Sequence, residues 1–213
     1  MSDQTVRARP AVKKSEQRRQ ELVEAAFHQI AERGFEGLRT RDVAAEVGVN
    51  IATLHYYFPT KEALIGGVLE LAMDKFRSTL APHGSPSDQL RNHLRSVRKL
   101  MGDDPELGVV MGELALRAAR DRSIAKIYDA TRDAWQTVMR GLLRRGVREG
   151  NLRAELDSDA VATLVIAVLT ALTLPPLRDT AQGDVALRQL ERWLGISGRK
   201  KGIKQLIDGF GNV

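Results

Sequence analysis

The stretch Thr40-Arg-Asp-Val-Ala-Ala-Glu-Val-Gly-Val-Asn-Ile-Ala-Thr-Leu-His-Tyr-Tyr-Phe58 constrains this chain more than any other part of it. Two short helices that cross at a steep angle need a small residue at the crossing, a glycine in the turn and apolar residues facing inward. Ala44, Gly48, Val43, Val47, Val49, Leu54 and Phe58 meet those needs. Leu54 and Phe58 lie four apart and share one face, while Ile51, Ala52, His55 and Tyr56 fall away from it. The pattern predicts a helix-turn-helix; its plainer rival is an ordinary pair of core helices, with the Tyr-Tyr-Phe cluster packed inside.

The outward set has the chemistry of a groove reader. The major groove of B-DNA admits an α-helix, and the motif places its second helix there, with residues opening the first helix beside the backbone. Thr40 and Thr53 carry hydroxyls able to donate to phosphate, and Lys61 supplies a charged contact that weakens as salt rises. Arg41 has the fork for a guanine edge, and Ile51 and Ala52 suit thymine methyl groups. His55 and Tyr56 suit either base or backbone, and Asn50 and Tyr57 complete the candidate DNA-binding set.

Elsewhere apolar residues recur at helical spacing, with few alternating β-branched runs and no Asn-Gly or Asp-Gly hairpin turn ahead of the basic tail, so the fold class is all-α with about nine helices. The first helix is expected from Ser15, where Leu22, Ala25, Ala26, Gln29 and Ile30 form a stripe, to a glycine C-cap at Gly34. Helices are then expected over 40–47, 50–57 and 60–80, opened by Thr40, Asn50 and Thr60 as side-chain caps. After a Pro82 to Pro86 break come 87–101, 105–120, 123–149, 158–174 and 184–194. The domain reading is a basic arm over 1–14, a helix-turn-helix domain over 15–61, a helical effector-binding and dimerisation domain over 62–194, and a basic tail over 195–213.

The net charge of +6 is concentrated at the two ends. Such an arm can be attracted to DNA phosphates or to an anionic membrane surface, or can be a solvated tail. The chain has no cysteine, which excludes disulfides and thiolate metal sites, and its first residues show no signal-peptide apolar run, so a cytoplasmic location is expected. The apolar run from Ala160 to Leu174 is shorter than the ~20 residues a membrane span requires. Four histidines, at 28, 55, 83 and 93, form no His-x-x-x-His pair, and there is no nucleophile elbow or glycine-rich phosphate loop. Neither catalysis nor a metal or other cofactor is expected.

An apolar helix whose faces are all greasy must be covered on two sides, and a partner subunit supplies the second cover. Val161, Leu164, Val165, Val168 and Leu172, with Leu187, Leu190 and Trp193 of the following helix, are the candidate homodimer interface. A sensing pocket should be apolar with a few placed polar groups, and Met73, Phe76, His93, Met101, Met111, Glu113, Tyr128 and Trp135 are its candidates, against the alternative that they are core and solvated face.

From about Gln17 to Leu69 the chain resembles the N-terminal domain of the tetracycline-repressor (TetR) family. The resemblance rests on LVEAAFHQIAERGFEGLRTRDVAAEVGV followed by ATLHYYFPTKEALI, with Gly-Phe-x-Gly, Val-Ala-x-x-x-Gly-Val, Thr-Leu-x-x-Tyr-Phe and Lys-Glu-x-Leu at family spacing. It implies phosphate contacts at Thr40, Thr53 and Lys61 and base contacts at Arg41, Ile51 and Ala52. His55 departs from the tyrosine usual there. The resemblance further implies a two-fold dimer on a near-palindromic double-stranded operator, acting as a repressor that a small-molecule effector releases. Beyond about Leu80 it is architectural only and names no effector; the alternative is a DNA-binding regulator or scaffold without one.

Overall fold

The computed structural model describes residues 4–174 and 181–197, with side chains from residue 13 onward. The described residues form nine helices and no strand: α1 Gln4–Gly37, α2 Thr40–Glu46, α3 Ile51–Tyr57, α4 Lys61–Arg77, α5 Pro86–Asp103, α6 Pro105–Ala118, α7 Arg122–Arg148, α8 Ser158–Ala171 and α9 Ala181–Trp193. Most starts are capped as short polar side chains dictate. Asn50 accepts from the Thr53 amide at 2.8 Å, Thr60 from Ala63 at 3.1 Å, Ser85 from Asp88 at 3.2 Å and Asp104 from Leu107 at 3.2 Å. Pro86 and Pro105 stand at the first helical position, where a missing N–H costs nothing.

Three local expectations change. Thr40 is the first residue of α2 and does not cap it; Arg39 holds the cap position without a side-chain bond. Helix α1 begins at Gln4, ahead of the expected Ser15, because extending an existing helix needs no new nucleus and an apolar stripe marks only the part that packs. Gly34 does adopt a left-handed φ of 71°, yet helical turns resume as far as Gly37.

A single buried cluster runs from the first helix to the last. Phe27 and Ile30 of α1, Leu64, Ile65 and Leu69 of α4, Leu94 and Val97 of α5, Leu107 and Leu114 of α6, and Val165 of α8 are all within it. α1 packs against α6 and α4, so the N-terminal helices share a core with the helices behind them. Packing continues past Leu194 to Ile196, whose side chain is buried and whose carbonyl accepts from Arg91 Nε at 2.5 Å. The basic residues 198–213, most of the expected tail, lie outside the described residues. Among the described residues no helix is long and apolar enough to cross a membrane.

Candidate nucleic-acid interface and internal cavity

Helices α2 and α3 meet through Val43 and Ala44 on one side and Leu54 and Phe58 on the other, all buried. Gly48 makes the turn with a φ of 71°, a conformation that side chains with a Cβ adopt at a steric cost. The turn is fastened by Val49 N donating to Ala44 O at 2.9 Å, and Arg18 of α1 donates to Val47 O at 3.1 Å. Gln29, on the buried face of α1, donates to Glu46 Oε2 at 3.0 Å. The motif is thereby locked to α1, and the outer face of α3 is left to solvent.

On that face Arg41, Asn50, Ala52, His55 and Tyr56 are exposed, Tyr56 to 79%, and Thr40 and Ile51 are half-buried. The remaining predicted contacts have work within the fold. The Thr53 hydroxyl donates to Asn50 Oδ1 at 3.0 Å, so a phosphate would have to displace that bond. Tyr57 accepts from Ser15 Oγ at 3.3 Å and stacks edge-on against Tyr56 with centroids 5.1 Å apart. Lys61 Nζ donates to Leu38 O at 3.1 Å and lies 4.7 Å from the centroid of the Phe35 ring. Burial pushes the Lys61 pKa down, as a cation partly withdrawn from water must show. Arg39, exposed at the start of α2 beside this face, escaped the sequence reasoning; its signal was a cation adjoining Thr40.

Behind the motif, α4, α6, α7 and α8 line a cavity of about 310 Å³ that opens to the surface beside the exposed Leu116 and Leu174. Met73, Phe76, Met111, Tyr128 and Trp135, all among the pocket candidates, line it. Met101 does not: it is wholly buried core. His93 stands one layer back, its ring 5.2 Å from that of Trp135. Thr79 Oγ1 donates its one hydrogen to Phe76 O at 2.6 Å and lies 2.6 Å from His93 Nδ1, so Nδ1 carries the imidazole hydrogen and Nε2 is a bare acceptor. That Nε2 is buried without a partner, and burial lowers the His93 pKa to about 4.

Glu113, the third departure from the predicted pocket, turns the other way. Its Oε2 accepts from the Phe35 amide at 2.9 Å, in the corner that Gly34 opens. One turn on, Arg117 donates to Glu36 at 2.7 Å and covers the Phe35 ring at 4.8 Å, and at the start of α6 Glu106 lies 2.6 Å from His28 Nδ1. Helix α6 therefore presents Met111 and Ala115 to the cavity and Glu113 and Arg117 to α1. The sequence reasoning missed the contribution of α8, whose Ile166, Leu169 and Thr170 close the cavity. Thr170 and Thr173, two of the three hydroxyls in so apolar a run, were the available signal.

Of the predicted dimer residues, Val165, Leu172, Leu187 and Leu190 are 5% exposed or less and are taken up by the chain's own core. Leu164 is 42% and Trp193 59% exposed, with Val161 and Val168 half-buried between. Among the described residues no group of three His, Asp or Glu side chains could hold a metal ion.

A three-helix reading head whose motif is braced by its first helix, continuous with a helical body that holds an apolar cavity, defines a helix-turn-helix DNA-binding transcription regulator. Residues 22–68 match the family model for bacterial regulatory proteins of the tetR family, and residues 80–186 match the tetracyclin repressor-like C-terminal domain. Together these matches cover most of the chain, and the chain belongs to the tetR family. Among similar proteins, the HTH-type transcriptional regulator PksA of Bacillus subtilis (strain 168) is 25% identical over 177 residues, spanning 77% of this chain and 80% of that one. The HTH-type transcriptional repressor KstR2 of Mycobacterium tuberculosis (strain ATCC 25618 / H37Rv) is 27% identical over 151 residues, 68% of this chain and 74% of that one. A crystal structure of a TetR-family transcriptional regulator from Rhodococcus sp. superposes with a TM-score of 0.76 at 23% identity, covering 85% of this chain and 98% of its own, a likeness of fold.

Proposed function

We propose that this regulator is a cytoplasmic homodimeric repressor that sits on a near-palindromic DNA operator and leaves it when a small molecule fills the cavity. The observation that carries the reading is the double engagement of α6, with Met111 and Ala115 on the cavity and Glu113 on the Phe35 amide of the reading head. A ligand that prefers one placement of α6 shifts the population of heads set for the operator, by as much as its affinity differs between the two placements. The cavity is also what favours this reading over a regulator without an effector.

Arg41, Ile51 and Ala52 are the proposed base readers, with Thr40, Thr53, His55, Tyr56 and Arg39 toward the backbone. Lys13 and Lys14, exposed at the end of the basic arm, add charge that phosphates attract. Leu164, Trp193 and Val185, all exposed, supply the apolar surface for a second copy.

Selection of bound sequences from random duplexes by the purified chain tests the first half; enrichment of paired, inverted half-sites is expected, and enrichment of a lone, asymmetric site overturns the dimeric reading. For the second half, a cavity ligand and the operator are titrated against each other in both orders. Each should weaken the other by the same factor. Full independence of the two overturns release by an effector.

A further inference from the structure

The cavity states the chemistry of what it accepts more sharply than its size alone. At about 310 Å³ it lies at the small end of the ~300–1,000 Å³ typical of ligand pockets. Two of its three threonine hydroxyls are already oriented, and the third, that of the exposed Thr170, is not. Thr131 donates to Ile127 O at 2.9 Å and Thr173 to Thr170 O at 2.7 Å, so toward a ligand both offer only lone pairs. Tyr128 and Trp135 are the reverse case: each has one N–H or O–H donor, and neither is paired with any of the described residues. The cation at the cavity edge, Arg132, is half-exposed and already paired with Asp129 and Asp133, each at 3.2 Å. No uncompensated charge faces the interior, and the burial that raises the Tyr128 pKa would penalise an anionic guest likewise.

Gly112 adds an independent observation. It lies inside α6, where glycine destabilises a helix by about 1 kcal/mol relative to alanine. Its φ does not require glycine, and a Cβ built there meets no atom within 4 Å. Gly108, one turn earlier, has a packing reason, since a Cβ there would come 2.8 Å from Thr173 O. Gly112 has none, and it borders the cavity.

We propose that the cavity takes a neutral, hydrocarbon-rich molecule carrying an oxygen acceptor toward Tyr128 and Trp135, and that Gly112 leaves the room it occupies. This deepens the effector reading and rests on it for its biological meaning, but its test involves no DNA. A ligand can prove neutral and cavity-bound while operator release fails, and the converse can hold too, so the two failures are told apart.

Three fluorescent probes test the proposal on the full chain. N-phenyl-1-naphthylamine is neutral, and 1-anilinonaphthalene-8-sulfonate is the same skeleton with a sulfonate; the neutral dye should bind at least about tenfold more tightly, because a buried, uncompensated charge is costly. Gly112→Leu fills the space from a helix position that tolerates it and should abolish neutral-dye binding with helicity unchanged by circular dichroism. Ala115→Phe fills the same space from the next turn and decides the matter if Gly112→Leu fails to fold. The neutral ketone 6-propionyl-2-dimethylaminonaphthalene should bind several-fold more weakly to Tyr128→Phe, while N-phenyl-1-naphthylamine, with no oxygen, binds that variant as it binds the parent. A preference for the neutral dye below tenfold, neutral-dye binding that survives the folded cavity-filling variant, or equal ketone affinity in Tyr128→Phe overturns the proposal.

Discussion

His93 shows how one side chain can tie stability to pH. Held neutral in the fold with a pKa of about 4, it titrates near its ordinary value of 6.5 once unfolded. Below pH 6.5 the unfolded chain therefore binds the extra proton first, and stability falls as the pH drops toward 4, by on the order of 3 kcal/mol in total. Urea denaturation at pH 7 and pH 4.5 should show the loss, and His93→Phe, which removes both the titration and the unpaired Nε2, should remove this contribution to the slope. Arg41 and Lys61 separate reading from holding. Arg41 is exposed with no partner among the described residues, so Arg41→Ala should leave stability within about 0.5 kcal/mol. At the operator it should relax preference at one base pair per half-site by about 1 to 3 kcal/mol, read by competition with substituted duplexes. Lys61→Ala instead loses a hydrogen bond to Leu38 O and a ring contact with Phe35, and should cost about 1 to 2 kcal/mol in denaturation experiments.

At the scale of the element, α6 is the link between cavity and reading head, and its strength rests on few bonds. Glu113→Ala leaves the Phe35 amide without its acceptor and should cost about 1 to 3 kcal/mol of stability. Under the proposed function it should also shrink the factor by which a cavity ligand weakens operator binding, measured by titrating the two together; an unchanged factor would move the coupling to α4, which joins Lys61 to Met73 and Phe76. Helix α3 depends on tertiary packing in a different sense. At seven residues it is too short to persist alone, and Leu54 and Phe58 anchor it to the core. Leu54→Ala should cost about 2 to 5 kcal/mol and abolish operator binding through loss of the head rather than loss of contacts.

For the whole molecule the decisive surface is the one left uncovered at α8 and α9. Leu164, Val185 and Trp193 are large, apolar and exposed, whereas Val165 and Leu187 nearby are buried in the chain's own core. Trp193→Glu should dissociate the proposed dimer with helicity retained, seen by sedimentation together with circular dichroism. Val165→Glu should unfold the chain instead, because no partner shields that charge from the interior.

The sequence by itself determined most of the helices, most of their caps and the helix-turn-helix, because these follow from local rules: a 3.6-residue period, a side-chain oxygen before a first turn, a glycine where φ is positive. Gly48, Asn50, Leu54 and Phe58 could be assigned from spacing alone. Periodicity names the face a residue is on but not the neighbour that face will meet, and this is where the tertiary structure decided. It divided the apolar face of α8 among core, cavity and open surface, and took Met101 into the core. It turned Glu113 toward Phe35 and folded Lys61 back onto Leu38. The last two depend on contacts between residues 78 and 23 positions apart, and no local pattern along the chain encodes the distance between such residues.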